Sequence, residues 1–203
     1  MQYQSLQLEN YLQQQTRWPQ DGRHILAQYD AESIIVYQAY RPAIGQFAVE
    51  YGYFGGEFSL NRMSWIKPNF LWMMYRCNWA QSAGQEVVLA IRLHRRFFDK
   101  LLQLAVPSSY DPARYATNQD WQAAVQDSEV RLQWDPDHDP FGNKCSRRAI
   151  QLGLRGKILE EYSRDAIVEI IDVTPFVVEQ RNLLIENISL LQMPAEQVYP
   201  ALR

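Results

Sequence analysis

Hydrophobic positions along the chain change period several times, and each change predicts an element. Ser33-Ile34-Ile35-Val36-Tyr37-Gln38-Ala39-Tyr40 is a short run of β-branched and aromatic residues, which suits a buried strand. Pro42 then opens a helix. Ile44, Phe47, Ala48 and Tyr51 recur at i, i+3, i+4 and i+7 as one apolar face, and Gly52 closes it. Gly55-Gly56 reads as a turn. A short extended piece reaches Lys67, Pro68 restarts the chain, and Phe70 to Trp79 reads as helix. Glu86 to Leu93 has a continuous apolar middle, which predicts a strand, and Phe97 to Leu104 makes an amphipathic helix after it.

Past residue 107 the pattern loosens. Residues 107–128 are rich in Pro, Asp, Ser and Gln and read as a surface insertion with a short helix around Trp121 to Val125. Val130-Arg131-Leu132-Gln133-Trp134 alternates like a half-buried strand and runs into the turn-rich Asp135-Pro136-Asp137-His138-Asp139-Pro140. Strands over Ala149 to Leu154 and Ala166 to Val173 flank a helix from Lys157 to Tyr162. Thr174-Pro175 then offers an N-cap and first-turn pair for a last helix through Leu184. Early alternation of strand and helix, followed by strands with turn-rich connections, predicts an α+β fold: one domain, a central mixed sheet and flanking helices. The domain is expected over residues 21–190. Residues 1–20, Gln-rich and weakly helical around Leu6 to Tyr11, read as an arm, and residues 191–203 as a tail.

Composition narrows the class. A chain of 203 residues with 47% hydrophobic and 21% charged positions is long enough for a substantial core and has globular composition. Its apolar runs fall far short of the roughly 20 residues that cross a bilayer. The first residues lack the basic start and apolar stretch of a signal peptide, and Cys77 and Cys145 form no metal-spaced pair. These features predict a soluble, cytoplasmic protein with no membrane partner. A net charge of −3 argues against broad attraction to nucleic acid but leaves room for a local basic surface.

Two places concentrate chemistry. Arg41-Pro42 and Lys67-Pro68 put a base where a helix begins, although Ser, Thr, Asp or Asn would stabilise that position. Such a base is accommodated if an anion, phosphate above all, shares the helix N-terminus, or if the side chain turns to solvent or to a carboxylate. Trp65, Trp72, Tyr75 and Trp79 lie beside Arg62, Lys67 and Arg76, a mixture that suits ring stacking next to phosphate. Trp72, Tyr75 and Trp79 also share one helical face, and core packing is the expectation for Trp72 and Trp79. The segment Gln133 to Asp139 holds three carboxylates and one His, and reads as a loop bordering the site. No metal is expected there, since no second His or Cys sits at ligand spacing. P-loop, G-x-G-x-x-G and G-x-S-x-G signatures are absent.

The stretches IIVYQAYRPAI, RMSWIKPNFLWMMYR, QEVVLAI, VRLQWDPDHD, RRAIQLGL and IIDVT, in this order, resemble the bacterial and fungal family of unknown function numbered 4291, over roughly residues 23 to 180. The aromatic run around Lys67 is its most specific part. Ser64 and Asn69 stand where Thr and Ser are expected, and Asp137-His138 where Glu-Arg is commoner, which weakens a role for that pair. Membership implies no particular activity. The order of elements is also similar to the ADP-ribosyltransferase-like fold, with Val36 to Arg41 as its first strand, Trp65 to Tyr75 next and Glu86 to Leu93 third.

That second resemblance implies NAD as ligand, with its pyrophosphate on Arg41 or Lys67. The candidate binding residues are Tyr37, Tyr40, Arg41, Arg62, Trp65, Lys67, Arg76 and Arg148. The candidate catalytic groups are Gln38 and a late polar residue, either Gln151 or Glu169. The expectation is an NAD-consuming transferase. The alternative is an RNA-binding module using Arg41, Arg62, Lys67, Arg76, Arg147 and Arg148 on phosphates and Trp65 on a base. A pocket in which Tyr37, Gln38, Arg41, Lys67 and Gln151 or Glu169 converge would mark the first, and an open basic groove with an exposed Trp the second.

Overall fold

A computed structural model describes residues 5–200. The arm and tail expected from the sequence include residues 1–4 and 201–203, which lie outside the described residues. In chain order the elements are β1 (Leu8–Asn10), α1 (Tyr11–Gln14), β2 (Leu26–Ala27), β3 (Ser33–Tyr40), α2 (Pro42–Tyr51), β4 (Ser64–Ile66), α3 (Phe70–Cys77), β5 (Val87–His94) and α4 (Arg95–Leu104). They continue with β6 (Val106–Pro107), α5 (Asn118–Asp127), β7 (Val130–His138), β8 (Lys144–Leu154), α6 (Gly156–Ser163), β9 (Ile167–Asp172), α7 (Thr174–Glu186), a 3-10 turn (Ile188–Leu190), β10 (Gln192–Pro194) and β11 (Gln197–Val198). This is an α+β architecture.

In place of one central sheet there are two. The first is antiparallel, ordered β3-β5-β9, and the second, ordered β4-β8-β7-β6, is antiparallel except for the β6–β7 pair. Tyr37 and Lys67 join them, each backbone N–H donating to the other's carbonyl at 2.7 and 3.2 Å. The sheets face each other across one apolar cluster. Val36, Leu89, Ile91 and Ile170 come from the first and Ile66, Ile150, Leu152 and Leu154 from the second. A second cluster lies on the other side of the first sheet, where Ile35, Tyr37, Val88 and Ile171 meet Phe70, Leu71 and Met74 of α3 and Phe176 and Val177 of α7.

Residues 5–20 and 191–200 belong to this body. Leu6, Tyr11 and Trp18 are buried in the second cluster with Leu191 and Met193; β1 pairs with β10, and β11 with β2. The arm and tail expected from the sequence are therefore packed structure, because their few apolar residues close over α3 and α7. Three other expectations change. The segment from Asp135 to His138 continues strand β7 instead of forming a loop, and the turn follows at Asp139 to Asn143. Helix α3 stops at Cys77, since Asn78, Trp79 and Ala80 all take positive φ. Thr174 does not cap α7; its hydroxyl accepts the Val88 N–H at 2.9 Å, and Val173 occupies the cap position with no side-chain bond.

Candidate functional site

Where β3 meets β4, a cleft of about 280 Å³ is lined by Gln38, Tyr40, Arg62, Ser64, Trp65, Lys67, Met73 and Gln85, among others. Strand parity decides which residues reach it. Gln38 and Tyr40 lie on the side of β3 that faces the second sheet, and Tyr37, one residue off, points the other way. Gln38 is the hub. Its amide nitrogen donates to Ser64 Oγ at 2.8 Å and to the Trp65 carbonyl at 3.1 Å, and its oxygen accepts the Tyr162 hydroxyl at 2.6 Å. Tyr40 and Ser64 share a further hydrogen bond of 2.9 Å. Burial pushes the Tyr40 and Tyr162 hydroxyls up from the usual phenol range, so both remain neutral partners. With these bonds made, Gln38 ties β3 to β4 and α6 and has no amide proton left for a ligand.

Lys67 is the opposite case. Its side chain is 7% exposed, and its ammonium makes one long bond, 3.4 Å, to the Trp65 carbonyl. Among the described residues no carboxylate comes within ion-pair reach of it. Burial, reinforced by the Arg76 charge, lowers its pKa from 10.5 to about 8; Cys77 and Asp135 pull weakly the other way. Beside it, the Trp65 indole lies against Gly153, where an added Cβ would stand 3.0 Å from the ring and 2.6 Å from Met63 Sδ. The missing side chain is what lets the indole lie there.

On the outward face of the second sheet, Arg131, Gln133 and Asp135 of β7 alternate with the core residues Val130 and Leu132. Gln151 stands opposite Gln133 in the β7–β8 register, as Gly153 does opposite Trp65 in the β4–β8 register. Asp135 accepts the Gln133 amide at 2.8 Å on one oxygen and the Gln151 amide at 2.7 Å on the other. Because Ile66 stands opposite Leu152, Gln151 comes alongside Lys67 at the end of β4.

The remaining candidates are scattered. Tyr37 is fully buried in the second cluster, edge-on to Phe70 with its hydroxyl unpartnered among the described residues, and cannot touch a ligand in the cleft. Glu169 sits in register with Arg92, which is in register with Ile35. That places it on the Tyr37 side of the first sheet, bonded to Arg92 at 3.3 Å and Ser5 at 3.2 Å, so it does not converge with Gln38. Arg148 is exposed on the parity opposite to Gln151, with its backbone N–H on Gly22. Arg76, in the last turn of α3, is exposed and lines a larger groove with Tyr75, Phe141 and Arg181. Trp72 and Trp79 are buried as expected, although Trp79 lies past the end of α3 and Tyr75, expected on the same face, is exposed.

Of the two bases expected at helix starts, only Arg41 occupies that position. It precedes Pro42 without a side-chain cap and pairs with exposed Glu57 at 2.6 Å. Together with Tyr40 and Arg62 it lines a neighbouring cleft of about 470 Å³. Lys67 lies three residues before α3, whose cap is Asn69. The acceptor at that N-terminus is the carboxyl of the chain's own Glu196, which takes the Phe70 N–H at 2.6 Å and the Asn69 amide at 3.0 Å. The Phe70 N–H is therefore already occupied at the start of α3. Sequence reasoning missed Ser64, Tyr162 and Glu196, and named Asp135 only within the Gln133–Asp139 segment expected to border the site as a loop.

The family described as Domain of unknown function (DUF4291) matches residues 24–199. No curated protein matches the chain. Among the described residues no helix is long and apolar enough to cross a membrane.

Proposed function

The chain belongs to the DUF4291 family, and we propose that it is an NAD-consuming, ADP-ribosyltransferase-like enzyme that takes the pyrophosphate of the dinucleotide on Lys67. The observation that carries this reading is a buried ammonium with one long hydrogen bond and no counter-ion. Placing a lone cation away from water costs several kcal/mol, so a fold that keeps one gains from an anion arriving beside it. The cleft is too small for a whole dinucleotide, but the adjoining one shares Tyr40 and Arg62 with it, and the two together suit an elongated ligand. Arg62 on the shared rim supplies a second positive charge. The half-buried Trp65 supplies a ring face for nicotinamide or adenine.

Catalysis would rest on position. As nicotinamide departs, the bond between its nitrogen and the ribosyl carbon breaks with the electron pair going to the nitrogen, and positive charge develops on the sugar. An acceptor hydroxyl or water bonds that carbon and releases its proton to solvent. The Gln38 hub fixes β4 and so fixes Trp65 and Lys67 at either side of that event. The basic residues favour this reading over an extended nucleic-acid surface. Arg147 is buried against Asp137 at 2.6 Å, Arg41 pairs with Glu57, and Arg148 points from the other face of the sheet.

Calorimetric titration of the protein and its Lys67→Met variant with NAD, ADP-ribose and a short single-stranded RNA tests the reading. Saturable NAD or ADP-ribose binding that disappears in the variant supports it and leads to an assay of nicotinamide release. RNA binding alone, weakening steeply as salt rises, would put a nucleic-acid module in its place.

A further inference from the structure

In the β4–β8 register Ile66 stands opposite Leu152, so Lys67, the next residue, comes alongside Gln151, whose amide donates to Asp135 at 2.7 Å. Among the described residues Lys67 has no carboxylate within ion-pair reach and Asp135 no cation. A ligand group that bridges such a pair must present acceptors to the lysine and donors to the aspartate. A phosphate is all acceptor, and a sugar hydroxyl is the donor that commonly stands next to it. We propose that Asp135 reads the hydroxyls of a ribose whose phosphate sits on Lys67, and that Gln133 and Gln151 are positioning residues for it. The assignment rests on the nucleotide reading above and names the part of the dinucleotide that is read, a phosphorylated ribose.

The local geometry supplies what such a reader needs. Each carboxylate oxygen can accept two hydrogen bonds, and each Asp135 oxygen has accepted one from a glutamine amide. One acceptor direction per oxygen is left, which matches a pair of neighbouring hydroxyls. The two amides also hold the carboxylate in one orientation, so a ligand does not have to order it. Asp135 is half-buried, on the same face of the second sheet as Trp65 and Gln151. A hydrogen bond to a charged group of this kind contributes about tenfold to hundredfold in affinity.

The test compares three probes on the full chain: ADP-ribose, ribose 5-phosphate and inorganic pyrophosphate, which has no hydroxyl to donate from a sugar. Asp135→Asn is expected to weaken ADP-ribose and ribose 5-phosphate about tenfold or more while pyrophosphate affinity changes less than about twofold. Gln151→Ala should give the same selective loss, smaller in size, and it keeps the test open if Asp135→Asn fails to fold. Equal loss on all three probes, no loss on any, or a loss confined to ADP-ribose would overturn the hydroxyl role. Lys67→Met should lose all three. If it keeps pyrophosphate while Asp135→Asn still discriminates, the Lys67 reading fails and the Asp135 assignment stands; if the unmodified protein binds none of the probes, both fall.

Discussion

Lys67→Met should make this protein more stable at neutral pH, an uncommon result for substitution of a buried residue. In the unfolded chain the ammonium titrates near 10.5, and in the folded chain near 8. At 1.36 kcal/mol per tenfold change in proton affinity, the buried charge opposes folding by roughly 3 kcal/mol wherever both states are protonated, that is below about pH 8. The sign follows from proton counts. Between pH 8 and 10.5 the folded state releases the proton that the unfolded state still holds, so wild-type stability rises across that window; it is fully regained above 10.5 and lost again as pH falls through 8. Methionine has a similar shape and no charge, and forfeits only the 3.4 Å bond to the Trp65 carbonyl. A net gain of about 2 kcal/mol at pH 7 is expected, equivalent to a rise of roughly 4–8 °C in Tm for a chain of this size. Urea unfolding of both proteins at pH 7, 9 and 10.5 would show the gap closing as pH rises. A variant that is less stable at pH 7, with a gap that does not depend on pH, would mean that Lys67 serves the fold, and the argument for an anion site would lose its foundation.

Other substitutions separate structure from function. Tyr162→Phe leaves the Gln38 oxygen unpaired in a buried network and should cost roughly 1–3 kcal/mol in urea unfolding. Gly153→Ala forces a Cβ toward Trp65 and Met63, so tryptophan fluorescence should shift, and ligand affinity should fall more than the roughly 1–3 kcal/mol overpacking cost in stability would explain. Glu196→Ala strands the Phe70 N–H and should cost roughly 1–3 kcal/mol. Glu196→Gln keeps an acceptor and removes a carboxylate whose pKa burial has raised well above 4.5, so at pH 7 it should be as stable as wild type or more so. Glu169→Ala should leave ligand binding unchanged in calorimetry and cost less than about 1 kcal/mol, because its pair with Arg92 is partly exposed.

Local pattern revealed much of this molecule. Strand β3 was legible from end to end, because eight consecutive residues favour a pleated, buried surface. Helix α2 was legible at its close, since Gly52 supplies the left-handed turn, at φ 74°, that most side chains resist. Strand β7 was legible only to Trp134. Beyond it, Asp and Pro gave a turn signature, yet the alternation of outward Gln133 and Asp135 with inward Leu132 and Trp134 continues. Pro136 is tolerated because β6 accompanies β7 only to Leu132, leaving the later residues unpaired on that side. Reading the segment as a loop hid Asp135. The role of Glu196 had no local signal at all, since it reaches α3 from 126 residues away.

Lys67 was selected from the sequence for a reason the structure removes, since the helix after it is capped by Asn69 and served by Glu196. That removal strengthens the case for the side chain. A lysine at a helix start could be explained by local geometry, with its charge turned to solvent. A lysine held at the seam of two sheets by a pair of backbone hydrogen bonds, with its ammonium turned inward, has no such explanation. Around it the Gln38 amide, the Ser64 and Tyr40 hydroxyls and each oxygen of Asp135 have at least one hydrogen-bond partner. Against that network a buried ammonium with one 3.4 Å bond and, among the described residues, no carboxylate in ion-pair reach is informative. The unpaired group is where a ligand is expected to contribute what the fold has left out.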